Sequence, residues 1–322
     1  MYQWYVDCLI ERVLSLEETS ERNEILPCIH LLYLFSRARC HLFTEAHLMT
    51  LQPYLKESST GGSEQKVLQY VVMIFQETLP SLKHVNPSLL VQVEKELLTI
   101  LSKSPQLILN VAIPCLCQVV ERLTKSYQFL TRVLRSCFDK LTREAQGMTA
   151  GKPLPPLKTL MRMLILLGLV CRHFNFDAHR AKQPDRFPEL HAFPAGTVTT
   201  RVFTTVAKFT QVSLPQPLQL VAVQSLGNLF QGYPSLLLRD ESRTLMDRIF
   251  ASTDRDLKLQ LLKVFLELLS QEQLKLDRDK DGTPAANAKL HATVDLKVLI
   301  GNAQELGDAG VCSAIMQCYV DA

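Results

Sequence analysis

The chain has 322 residues, 47% hydrophobic and 21% charged, with a formal net charge of +3. That balance excludes a collagen-like fibre and a wholly disordered chain. Only 12 glycines argue against a Gly-rich nucleotide-loop enzyme or a turn-dense all-β fold.

Helical periodicity dominates the pattern in chain order. Helices are expected over Tyr2–Glu17, Glu24–Arg39, Thr44–Leu55, Ser63–Leu82, Pro87–Ser102, Gln106–Thr124, Ser126–Gln146 and Pro155–Phe174. After a loop come Thr197–Val212, Pro215–Gln231, Asp240–Ala251, Asp254–Asp277 and Leu306–Ala322. Thr44 and Ser63 stand where a hydroxyl can cap free amides. Pro87, Pro155 and Pro215 sit in first turns, and Pro114 is expected to kink or split its helix. No run is apolar enough for a transmembrane helix; the longest suspicious one is Met163–Cys171. Nine cysteines show no repeated framework and read as reduced thiols of an intracellular, soluble protein.

The more apolar second helices start near residues 24, 63, 106, 155, 215 and 254. HEAT and armadillo units recur at about 40–47 residues. One helix pair cannot bury its apolar face alone, but stacked neighbours can. The expected fold is therefore all-α, an α-solenoid of HEAT-like repeats; an irregular helical bundle is the alternative. One continuous array is expected over residues 1–322, with polar excursions at 175–196 and 278–305.

The catalytic and metal motifs fail on chemistry. Gly147-x-x-x-Gly151-Lys152 lacks one residue of a phosphate loop and is followed by Pro153. Asp277-x-Asp279-x-Asp281 opens like a calcium loop, but Ala288 occupies the position of the bidentate carboxylate. Cys171-x-His173 with His179 and His191 lacks the paired spacing of structural zinc. No catalytic residue, cofactor or metal is expected.

Charge is uneven along the chain. Residues 122–186 carry 13 basic and 4 acidic side chains, and the flanks are net acidic. Arg132, Arg135 and Arg143 share one helical face, with Lys140 nearby. Arg172, Arg180, Lys182 and Arg186 follow, and Tyr127, Phe129, Phe138, Phe174 and Phe176 are interleaved. Such a stripe suits phosphates or an acidic protein surface. The plain alternative is a solvated face, or pairing with the acidic flanks.

Several segments carry a family resemblance. They are Leu51-Gln52-Pro53-Tyr54-Leu55, the run Cys171-Arg172-His173-Phe174-Asn175-Phe176-Asp177, and Leu226-Gly227 followed by Tyr233-Pro234-Ser235-Leu236 and Leu257–Leu269. Ser313-Ala314-Ile315-Met316-Gln317-Cys318-Tyr319 is the last. Together they resemble the Nipped-B family of cohesin-loader subunits, the adherins. The resemblance implies a nuclear, hook-shaped HEAT solenoid without chemistry of its own. It implies partners: the cohesin ATPase heads and kleisin, double-stranded DNA, and a smaller loader subunit bound through a region outside this chain. It also implies stimulation of cohesin's ATPase. The chain reads as a middle section of that solenoid and as a fragment of a longer protein. The rival reading is a HEAT adaptor for transport or phosphatase complexes.

Overall fold

The computed structural model describes residues 2–18, 24–56, 62–151, 153–278 and 301. Those residues form thirteen α-helices and no strand. The expected helix at Leu306–Ala322, the acidic turn from Asp279 and nearly all of the 278–305 excursion lie outside them. The chain divides into two compact units, Met1–Leu130 and Thr131–Ala322.

Unit 1 holds α1 (Tyr2–Glu18), α2 (Ile25–Arg39), α3 (Glu45–Leu51), α4 (Gly62–Thr78), α5 (Pro87–Lys103) and α6 (Gln106–Val119). The second helices form a row, α2 on α4 and α4 on α6, while α1 packs on α2 and α5 on α6. Local chemistry sets several boundaries. Thr44 accepts the His47 amide, and His47 Nδ1 accepts the Thr44 amide in return. His47 Nε2 then lies 3.1 Å from Asp7, tying α3 to α1. Asn86 caps α5, whose first residue is Pro87. Ser63 is already inside α4 rather than capping it.

Helix α6 runs on where a split was one of the two expected outcomes. Pro114 neither splits it nor ends it. The carbonyl freed four residues earlier belongs to exposed Asn110, where water can satisfy it. The irregularity falls later, in a π-helical turn at Val120–Thr124. Lys125 closes that turn with φ at 57°, its amide donating to the Val120 carbonyl at 2.8 Å. The stretch Gln106–Thr124 is also long and apolar enough to cross a membrane, contrary to the sequence reading. Ile108, Leu109, Ala112, Ile113, Cys115 and Leu116 are instead buried within unit 1. A helix flanked by α4 and α5 is apolar for that reason.

Unit 2 takes most of α7 (Tyr127–Thr149), then α8 (Leu157–His173), α9 (Phe176–Lys182), α10 (Val198–Ala207), α11 (Gln216–Gly232), α12 (Asp240–Phe250) and α13 (Arg255–Arg278). Its second helices again form a row, α8 on α11 and α11 on α13. The row is close. A Cβ on Gly168 of α8 would stand 3.0 Å from both the Cα and the carbonyl oxygen of Ser225. A Cβ on Gly227 of α11 would stand 2.6 Å from a Val264 methyl on α13. Helix α11 is thus pinched between its neighbours. Leu218, Ala222, Leu226, Leu229 and Phe230 are almost wholly buried there.

The segment 175–196 is not the polar excursion its prolines suggested. It folds into α9 and two short 3₁₀ turns. Phe187, Leu190 and Phe193 are buried at 0–2% exposure. Three apolar residues spaced three apart gave no recognisable period, because 3₁₀ turns stack i and i+3 on one side.

Gly168→Ala should cost about 1–3 kcal/mol, because backbone cannot yield as a flexible side chain can. Gly168→Val should cost more, and Gly62→Ala, which meets nothing within 4 Å, should stay within about 0.5 kcal/mol. Urea denaturation monitored by circular dichroism measures the difference.

Candidate nucleic-acid interface

Helix α7 presents the basic stripe. Leu130, Leu134, Cys137 and Leu141 are buried on its inner side. Arg132 and Arg143 are therefore carried to solvent on the opposite side and Lys140 on its flank, and all three are exposed.

Arg135 has a different fate. Its Nε donates to Asp139 at 3.2 Å, and a terminal nitrogen donates to the Glu189 carbonyl at 3.1 Å. Its guanidinium also lies over the Phe193 ring, 5.6 Å from the centroid. Thr131 adds a hydroxyl donated to the Glu189 carboxylate at 3.2 Å, and Phe138 packs on Phe193 at 4.8 Å. One side of α7 is thus a seat for the 187–193 turns. Arg180 serves the same seat, donating to the Phe193 carbonyl at 2.8 Å. Arg135 and Arg180 are brought together by what they hold.

Arg172 is directed elsewhere. It donates to Asn228 of α11 at 3.0 Å, and burial lowers its pKa against the opposing pull of Glu267. Lys182 and Arg186 are exposed at the end of α9 and in the turn after it. The interleaved aromatics do not form a stacking surface: Tyr127, Phe174 and Phe176 are buried. Arg201 was missed by the sequence reading. It is exposed on α10, with its guanidinium 5.8 Å from the same Phe193 ring. It lies in a block of nearly balanced charge, so only the fold places it beside Arg135.

The Cys171–Asp177 run is a brace. Cys171 is buried, and desolvation pushes its thiol far above the ordinary range. Phe174 stacks on His179 at 4.5 Å and meets Phe176 edge-on at 4.8 Å. Asn175 caps α9 by accepting the Ala178 amide at 2.9 Å. Asp177 caps α10, accepting the amides of Val198 and Thr199 at 3.1 and 3.0 Å and the Thr199 hydroxyl at 2.8 Å. Tyr233, the residue that follows α11, donates to the Phe174 carbonyl at 3.3 Å. One heptapeptide therefore fixes α8, α9, α10 and α11 together. Among the described residues no three His, Cys, Asp or Glu side chains gather as a metal site.

No family model matches the chain. Individual relatives do, over almost all of it. Nipped-B-like protein B of Danio rerio is 29% identical across 98% of this chain and 11% of its own length. The chain is homologous to the Nipped-B proteins. Nipped-B-like protein of Homo sapiens is 26% identical over the same shares. Sister chromatid cohesion protein mis4 of Schizosaccharomyces pombe is 25% identical across 98% of this chain and 20% of its own length. The chain thus spans about a tenth to a fifth of these relatives. The Nipped-B resemblance carried by the brace and its companion segments therefore extends along the chain.

His173 ends α8, and burial, reinforced by Arg172, lowers its pKa from 6.5 to about 4. The neutral imidazole is the native form. Its contribution to stability is complete above pH 6.5 and is lost as pH falls through about 4. The loss should reach no more than about 3 kcal/mol. Denaturation midpoints from pH 7 to 4 should fall more steeply in wild type than in His173→Gln.

Proposed function

We propose that the chain is a section of a cohesin-loader subunit that acts as a binding scaffold in the nucleus. The observation that carries this reading is the extent of the match. It covers 98% of the chain in relatives named Nipped-B-like and in others named for sister chromatid cohesion. The two units form one continuous HEAT-like array in this reading. Its helix faces hold cohesin, through the ATPase heads and kleisin, together with double-stranded DNA. The chain stimulates cohesin's ATPase by positioning and performs no chemistry itself. A smaller loader subunit binds a different region of the same protein.

Arg132, Lys140 and Arg143 are the phosphate contacts of α7, joined by Lys182, Arg186 and Arg201 around the same segment. Arg135, Arg172 and Arg180 act indirectly, by holding the elements that display the others. Exposed guanidinium and ammonium groups on a rigid helix neutralise backbone phosphates without reading bases. Binding is accordingly sequence-independent and salt-dependent.

Replacing Arg132, Lys140 and Arg143 together with Glu in the full-length protein should remove three phosphate contacts. The slope of log affinity against log salt should fall by about 3, with helical content unchanged. DNA-stimulated ATPase activity of cohesin should fall in parallel. Arg135→Ala should instead lower stability, by about 1–3 kcal/mol, because it leaves the Glu189 carbonyl without its donor. Salt-titrated fluorescence anisotropy and urea denaturation read the two effects. An unchanged slope in a folded triple variant would end the DNA assignment. Absence of cohesin subunits in a pull-down of the full-length protein would favour a HEAT adaptor for another complex.

A further inference from the structure

Unit 1 carries a second surface, unrelated in chemistry to the α7 stripe. Helix α2 buries Ile25, Ile29, Leu32 and Ser36 on one side. The other side shows Leu31 and Leu34, each 46% exposed. Beside them, three rings from two helices stack in the open. His30 lies 4.7 Å from Tyr70 of α4 with its plane tilted 19°, and Tyr33 lies 5.3 Å from Tyr70 with a tilt of 26°. His30 is exposed and both tyrosines are half-buried.

The rim of this face is cationic. Exposed Arg37 stands over the Tyr33 ring at 5.9 Å, and exposed Lys66 lies one helical turn before Tyr70. Neither forms an ion pair with a carboxylate among the described residues. Helix α2 has no Asp or Glu from Ile25 to Arg39. Glu24, just before it, is already paired with Arg12 at 3.0 Å.

We infer that the α2–α4 face docks an acidic, amphipathic segment of a protein partner. Leu31, Leu34 and the ring stack supply an apolar and aromatic centre, the composition that dominates binding energy at protein interfaces. Arg37 and Lys66 complement carboxylates along the partner's edge, guiding its approach and fixing its register. An amphipathic helix matches these demands, with leucine or aromatic anchors at i, i+3/i+4 and i+7 and acidic side chains beside them. Duplex DNA does not, because it offers phosphates to the rim but no apolar surface to Leu31 and Leu34. The inference is independent of the DNA assignment, which concerns other residues in the other unit.

The test uses the full-length protein in cells, with a benzophenone amino acid in place of Leu34. The mapped cross-link should fall in a segment of a different protein with net negative charge and helical apolar spacing. Arg37→Glu combined with Lys66→Glu should reduce its yield at least fivefold, while Arg37→Lys combined with Lys66→Arg should retain it. A control benzophenone at exposed Arg132 should not capture the same segment. A cross-link to DNA, to another part of this same chain, or to a basic or non-helical segment would overturn the inference. So would a yield insensitive to the charge reversal, or no cross-link from a variant whose circular dichroism and abundance match wild type.

Discussion

Unit 2 depends on the close crossing of α8 and α11. Glycine at position 168 lets the two backbones approach to a separation that a methyl group would already obstruct. The crossing sets the position of the C-terminal end of α8, where the Cys171–Asp177 run begins. That run then caps α9 and α10 and receives the hydroxyl of Tyr233, just after α11. On its other side α11 meets α13 through Gly227 and Val264. A row of apolar helices held this closely is stiff, because interiors at such density transmit displacement rather than absorb it. The exposed side chains around it are therefore displayed from fixed positions.

Charge in this chain does two kinds of work, and burial separates them. A guanidinium with five donors can grip backbone carbonyls from a half-buried position, as Arg135 and Arg180 do. The first satisfies a carbonyl of the Pro188–Leu190 3₁₀ turn and the second a carbonyl in the bend after it. Lys140, Arg132 and Arg143 remain in water. The basic excess of residues 122–186 is thus partly an internal device for seating the Phe187–Phe193 turns and partly a surface.

The run that most specifically carries the family resemblance is occupied with structure. Its residues cap helices, fill the interior and stack on one another. Similarity of this kind follows the construction of the repeat, which explains how it extends along the chain at 22–29% identity. Surface cations and exposed leucines are weaker signals in a sequence, since single substitutions there leave the fold unaffected.

By itself the sequence determined that this protein is helical, and roughly where its helices lie. Apolar spacing and the Thr44 cap act locally, within a turn or two, and the interval between apolar helices repeats them along the chain. The brace was legible as a resemblance, but not as a set of contacts. Only the tertiary structure decided which arginines face water, because the 187–193 turns fold against Arg135 and not against Arg132. It also decided that Phe187, Leu190 and Phe193 are core, and that Arg201 joins Arg135 around one ring. Pro114 passed through α6 for a related reason: the carbonyl it frees belongs to an exposed residue, Asn110. Each of these outcomes rests on contacts between residues 8 to 58 positions apart, or on which side of a helix is covered. Periodicity along the chain carries no record of either.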